Sequence, residues 1–182
     1  AALRSKVASW KFHFGDGSTT DVRAFEGVAR ALPVSAKANF HPTLAQVREA
    51  WGPRTKGLLL GSPSNPTGTL IDRRELAGIA ELVAERGGVL IVDEIYQGLV
   101  YGQAASTALG LPGDVVVINS FSKYFCMTGW RLGWVVLPPR AVREFEKLAQ
   151  HLFISAPAAA QHAACAAFSG DSLSILEKRR AE

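Results

Sequence analysis

Cysteine is scarce in this chain: two residues in 182, Cys126 and Cys165. Two such residues give neither a disulfide framework nor a paired metal-ligand spacing, and both read as small apolar residues of a reducing compartment. A one-sided basic stripe is also missing. The 20 Lys+Arg and 16 Asp+Glu, a net charge of +4, are interleaved, as in Arg73-Arg74-Glu75 and Glu177-Lys178-Arg179-Arg180. That pattern excludes a nucleic-acid surface, while the mild positive excess either suits a small anionic ligand or has no functional meaning. Long hydrophobic runs are absent. The most apolar stretch, Leu152 to Phe168, is broken by Ser155, Pro157, Gln161 and His162, so it makes a poor membrane span. No basic, apolar leader opens the chain, and a cytoplasmic protein is expected. There are no internal repeats, and no low-complexity tract beyond the Ala-rich residues 156–167.

What remains is an ordinary globular composition, with 48% hydrophobic, 9% aromatic and 20% charged residues. A disordered tail, a collagenous chain and a disulfide-stapled miniprotein are thereby excluded. The chain begins at Ala1 rather than Met and stops inside Leu173–Glu182, a helical-looking stretch. A piece of something longer is expected.

From Gly57 onward, short apolar runs alternate with amphipathic stretches. Leu58-Leu59-Leu60 reads as a buried strand, and the Pro, Gly, Ser and Asn of residues 62–68 as a loop. Asp72 with Glu75 forms a capping-box signal, Leu76, Ile79, Ala80 and Val83 follow at helical spacing, and Gly87-Gly88 ends the helix. Val89–Val92 and Val115–Ile118 are two further all-apolar runs. Strands without polar alternation, separated by helices, predict a three-layer α/β fold whose mostly parallel sheet is flanked by helices. The run Leu132–Leu137 follows the third strand after only residues 120–131, too short for a helical crossover, so an antiparallel neighbour is predicted. Behind Pro138-Pro139, Val142, Phe145, Leu148 and Leu152 mark one face of a long helix. Upstream, Thr43 and Gln46 form a capping box for a helix to about Trp51, and residues 22–30 suit a helix as well. The first twenty residues give no reading.

In doubly wound sheets, ligands bind at the carboxyl ends of the strands. Three strand ends here carry unusual polar residues. After the first comes Asn65-Pro66-Thr67-Gly68; at the second are Asp93 and Tyr96; after the third are Ser120, Ser122 and Lys123, with Arg131 eight residues beyond the lysine. Asp93 suits a cationic ring nitrogen or a metal. Lys123, if desolvated, can form a Schiff base. Arg131 and the two serine hydroxyls suit a phosphate, and Asn65 and Tyr96 can donate to an aromatic oxyanion. An aldehyde, a phosphate, a phenolic oxygen and a ring nitrogen occur together in pyridoxal 5′-phosphate.

Residues 62–68 (SPSNPTG), 93–96 (DEIY) and 120–133 (SFSKYFCMTGWRLG) resemble, in order and separation, three signatures of the class I/II aminotransferases, pyridoxal-phosphate enzymes of fold type I. The resemblance runs from about Val22 to the end. It implies that Lys123 forms the Schiff base with the cofactor and then shuttles a proton between the substrate α-carbon and the cofactor. It implies that Asp93 keeps the pyridine nitrogen protonated, that Tyr96 and Asn65 hydrogen-bond the phenolic oxygen, and that Ser120, Arg131 and Ser122 hold the phosphate. The implied reaction is transamination between an amino acid and a 2-oxo acid, by a homodimer when full length. Implied too are residues 22–155 as part of a cofactor-binding large domain, residues 1–21 unassigned, and residues 156–182 as a helical lead-in to a small C-terminal domain. The phosphate-binding turn at the start of the large domain is not found before Val22, and the substrate-carboxylate arginine of many members would lie beyond Glu182.

Taken singly, these residues have blander readings. Asp93 could cap a turn, Tyr96 could pack, Asn65 could form the turn before Pro66, and the two cations could be solvated. Another activity on the same scaffold, a carbon–sulfur β-lyase, would use the same residues, and a non-catalytic cofactor-binding sensor module is a third reading. His13, His41, His151 and His162 have no metal spacing and read as surface or packing residues. Cys126 reads as packing, Gly15-Asp16-Gly17 as a turn, and Trp130 and Trp134 as sheet packing, with Trp130 also able to line the cleft.

Overall fold

The computed structural model describes residues 27–182. Among them the elements run α1 Leu44–Ala50, β1 Gly57–Gly61, α2 Arg73–Glu85, β2 Val89–Asp93, β3 Asp114–Ser120, β4 Gly133–Val136, α3 Pro139–Leu152, α4 Ala158–Ala167 and α5 Gly170–Ala181. The strands form one sheet in the order β1-β2-β3-β4. β1, β2 and β3 are parallel, and β4 is antiparallel to β3. The predicted α/β architecture, with its mostly parallel sheet and flanking helices, is the one observed.

Local chemistry accounts for the element ends. Thr43 and Gln46 form a complete capping box on α1. Asp72 caps α2 by accepting from Arg74 N at 2.8 Å and Glu75 N at 3.4 Å. Glu75, expected to reach back and complete a second box, does not. Its carboxylate accepts the Leu44 N–H instead, which ties the start of α1 to α2 and satisfies one of the orphan donors of that helix.

The core lies between α2 and one face of the sheet. Leu76, Ile79, Leu82 and Val83 of α2 meet Leu58 and Leu60 of β1, Leu90 and Val92 of β2, and Val117 of β3. Leu58, Ile79 and Val92 have no exposed surface at all. Burying each such side chain is worth about 1.5–3 kcal/mol before entropy is counted. Gly88 follows α2 because Trp51 fills the space beside it; a Cβ there would stand 2.6 Å from that ring.

The sheet's other face is less covered, with Ile118 at 37% exposure. α3 forms where its apolar stripe predicts it, yet none of its residues is buried. Three expectations need correction or fall outside the description. Residues 27–30, the described part of the helix expected over 22–30, have irregular backbone; Pro33 disfavours helical geometry at Leu32 just beyond. Gly15-Asp16-Gly17, His13 and residues 1–21 lie outside the described residues. Cys126, expected to pack, is exposed, and so is Cys165.

Candidate active site

Register brings the three strand ends together. Gly61 pairs with Asp93, and Asp93 with Ile118. Beyond the strands, Ser62 N donates to the Asp93 carbonyl at 3.0 Å and Glu94 N to the Ile118 carbonyl at 2.8 Å. Neighbouring strands lie about 4.8 Å apart, so residues 62–70, 93–99 and 120–131 leave the sheet side by side. Pleat alternation then sorts the side chains. Leu90 and Val92 face α2, so Asp93 faces the opposite side, together with Ile118 and, two residues on, Ser120.

Asp93 is held locally: its Oδ1 accepts from Ile95 N at 3.0 Å. The turn-capping role and a ligand role are therefore compatible, since a carboxylate has further acceptor positions. The chain continues into a short turn, Gln97–Leu99, that starts from Tyr96. The Lys123 Nζ lies 5.5 Å from the centre of the Tyr96 ring, within cation–π range. Lys123 itself is exposed.

Two hydroxyls precede that lysine in the chain. Ser120 Oγ is 2.9 Å from Ser122 Oγ and accepts the Ser122 N–H at 3.0 Å. It also lies 3.2 Å from the Leu132 carbonyl. Antiparallel pairing of Ser120 with Gly133 brings the Arg131–Gly133 segment to the serines. Arg131 occupies the left-handed region, φ 51° and ψ 52°, a backbone state that costs a non-glycine residue on the order of 1–2 kcal/mol. Its guanidinium donates to the Thr128 carbonyl at 3.0 Å and is otherwise exposed. Asn65 is exposed on the adjacent loop and forms no side-chain hydrogen bond among the described residues. The structure thus brings the segments carrying Asp93, Tyr96, Ser120, Ser122, Lys123 and Arg131 to one edge of the sheet, with Asn65 on the adjacent loop; within the set, Lys123 meets Tyr96 and Ser120 meets Ser122.

The lysine loop is anchored by rings rather than by strands. Phe121 and Phe125 flank Lys123 and pack on each other, on Trp134 and on Phe168, with centroids 5.0–6.3 Å apart. Trp134 therefore packs as expected, whereas Trp130 is 46% exposed. With Phe121 and Met127 filling the buried positions of this cluster, Cys126 is turned outward at φ 55°. A polar tie comes from α5. Tyr124 donates to Glu177 Oε1 at 2.5 Å, and Arg180 pairs with Glu177 and donates to the Val100 carbonyl at 2.9 Å. The carboxylate acceptor pushes the Tyr124 phenol up, and the same hydrogen bond holds Glu177 below the ordinary carboxylate range. Gly98 admits this arrangement, because a Cβ there would sit 2.5 Å from Tyr124 Cγ.

Two buried polar residues lie outside the predicted set. Glu94 is 2% exposed and accepts from Ala108 N at 2.6 Å and Thr107 Oγ1 at 2.9 Å. Burial pushes its carboxyl up, those two donors oppose the shift, and the Asp93 charge adds to it. Its inward direction was readable from alternation with Leu90 and Val92. His41, read as surface or packing, is buried, with Nε2 3.0 Å from Thr69 Oγ1. Desolvation lowers its pKa. No group of three or more His, Cys, Asp or Glu residues able to hold a metal occurs among the described residues. No helix among them is long and apolar enough to cross a membrane.

Comparison with known proteins identifies the family. A family model described as aminotransferase class I and II matches residues 17–182. A valine–pyruvate aminotransferase of Mycobacterium tuberculosis is 42% identical over 139 residues, 75% of this chain and 36% of the relative. An aspartate aminotransferase of Geobacillus stearothermophilus is 36% identical over 148 residues, 79% of this chain and 38% of that protein. The solved aspartate aminotransferase of Thermus thermophilus with maleate superposes with a TM-score of 0.87 at 28% identity, covering 98% of this chain and 50% of the other. The chain spans a little over a third of the length of these curated relatives and half of that solved chain.

Proposed function

The chain belongs to the class I and II aminotransferases, and from that membership we propose that it carries the lysine side of a pyridoxal-phosphate site that moves an amino group from an amino acid to a 2-oxo acid. Pyridoxal phosphate, when bound, supplies an electron-withdrawing ring that takes up the electron pair left at the amino acid's α-carbon. The chain's residues fit that group. Asp93 and Ser120 share one face of the sheet, Ser120 and Ser122 present two hydroxyls 2.9 Å apart, and Arg131 stands on the segment paired with Ser120.

In this reading Lys123 binds the aldehyde through Nζ and, once released, moves the proton at the substrate α-carbon. Asp93 keeps a proton on the ring nitrogen, and losing one partner of such a buried charge pair costs about 3–5 kcal/mol. Tyr96 and Asn65 donate to the phenolic oxygen. Ser120, Ser122 and Arg131 hold the phosphate through charge-assisted hydrogen bonds. Residues 22–155 then form part of the cofactor-binding large domain and residues 156–182 lead towards a small C-terminal domain. The working form is a cytoplasmic homodimer, and sedimentation velocity reads its dimeric state.

The observation that carries the reading is the Lys123 ammonium 5.5 Å over the Tyr96 ring, beside the edge that holds Asp93 and Ser120. The test is amino transfer that depends on an added 2-oxo acid, in the presence of pyridoxal phosphate. Lys123→Ala is expected to lower it by about a factor of 10²–10⁴ or more. Release of pyruvate and thiol without a 2-oxo acid would instead indicate a carbon–sulfur β-lyase.

A further inference from the structure

The neighbour of Asp93 is the more deeply buried carboxylate, and the proposed function assigns it nothing. Glu94 points to the α2 side of the sheet, opposite Asp93, and is 2% exposed. Its two oxygens reach fourteen and thirteen residues along the chain, to the N–H of Ala108 at 2.6 Å and the hydroxyl of Thr107 at 2.9 Å. Ala108 is fully buried. A second clasp lies beside the first: Gln97 Nε2 donates to the Ser106 carbonyl at 3.0 Å. From α2, Arg73 donates to the Thr107 carbonyl at 2.7 Å. Residues 94–108 are thus a loop drawn shut at its base, and Tyr96 lies inside it. The Gln97 N–H bonds the Glu94 carbonyl and the Leu99 N–H the Tyr96 carbonyl, both at 2.8 Å.

A carboxylate taken out of water is costly unless its acceptors are filled. Glu94 meets that condition only with the loop closed, so closure and burial support each other. We propose that Glu94 is a positioning residue: by closing the 94–108 loop it fixes Asp93 on the opposite face of the same strand end and Tyr96 beneath Lys123. This rests on the proposed function for the meaning of Asp93 and Tyr96, but the geometry it predicts stands without a cofactor.

Glutamine separates positioning from charge. In Glu94→Gln the amide oxygen can accept from Ala108 N–H and the amide nitrogen can donate to Thr107 Oγ1, so both hydrogen bonds of the first clasp persist. In Glu94→Ala the Ala108 N–H loses its buried acceptor. The experiment is amide hydrogen exchange on the full chain without cofactor, followed by pyridoxal-phosphate affinity and the pH dependence of the bound cofactor's visible absorbance. Glu94→Ala is expected to speed exchange at Ile95, Gln97, Leu99 and Ala108 by roughly tenfold or more, with Leu60 and Leu82 within about twofold of the wild type. It is also expected to weaken cofactor affinity by roughly tenfold and to shift the absorbance profile. Glu94→Gln restores all of these. Thr107→Val removes one partner from the far side and gives the same pattern at smaller size, which keeps the test open if Glu94→Ala does not fold.

Unchanged exchange at Ile95 and Leu99 in Glu94→Ala, or equal acceleration at Leu60 and Leu82, would overturn the positioning role. A wild-type chain that takes up no pyridoxal phosphate would sink the functional reading instead, and the exchange pattern would still decide the role of Glu94.

Discussion

The two sides of the sheet are held by different forces. On the β1–β2 side, α1 and α2 close over the strands, and Leu58, Ile79 and Val92 are wholly out of water. On the β3–β4 side, α3 buries none of its residues, and Val135 and Val136 of β4 are 41% and 38% exposed. Order there comes from four rings, Phe121, Phe125, Trp134 and Phe168, and from the Tyr124–Glu177–Arg180 tie. The carboxylate of the candidate site belongs to the first side and the lysine to the second. Burial thus supplies a rigid base for Asp93, while Lys123 depends on a small aromatic anchor.

That contrast is open to measurement. The largest expected effect is Ile79→Ala, a fully buried truncation that should cost about 2–5 kcal/mol in urea unfolding. Its counterpart on the second side, Phe145→Ala, removes a ring that is 44% exposed and should change stability by less than about 1 kcal/mol. Equal losses would erase the distinction.

Gly98→Ala should cost about 1–3 kcal/mol, since the new methyl meets the base of the Tyr124 side chain rather than its flexible end. Because Tyr124 adjoins Lys123, the same variant should also alter the reactivity of the Lys123 amine towards an acylating reagent. A stability loss with unchanged amine reactivity would show that the lysine loop is not held from the 97–99 turn.

The smallest effect concerns pH. Burial depresses the His41 imidazole, so the unfolded chain binds more protons than the folded one just below the ordinary imidazole value of about 6.5. Stability therefore rises with pH through that window; it is fully developed above about 6.5 and is lost as pH falls through the folded value. His41→Gln should flatten this slope in urea unfolding between about pH 5 and 7.5. A slope that persists in the variant would assign it to other groups.

Much of this was legible in the residues. All-apolar runs at 58–60, 89–92 and 115–118 predicted parallel strands because they lack the polar alternation of a half-wet sheet. The short 120–131 connection predicted antiparallel β4, since no crossover helix fits. Thr43 with Gln46 predicted a cap that depends only on neighbours. What failed to read through depends on distant partners. Glu75 has the spacing of a capping box, but the Leu44 N–H of another helix competes for it. Cys126 looks like a packing residue until Phe121 and Met127 take the interior. The motif residues were readable as a set, and the sheet brings their segments to one edge. What holds them was not: the clasp from Glu94 to Ala108 spans fourteen residues, and the tie from Tyr124 to Glu177 spans fifty-three.

The central claim is that Lys123 is the residue that takes pyridoxal phosphate. Borohydride reduction of the full chain with pyridoxal phosphate, followed by peptide mass mapping, tests it directly. The expected result is a phosphopyridoxyl label on the peptide containing Lys123, at one per chain, and its loss in Lys123→Ala while surface lysines remain unlabelled. Labelling spread over the other lysines, or undiminished in Lys123→Ala, would contradict it.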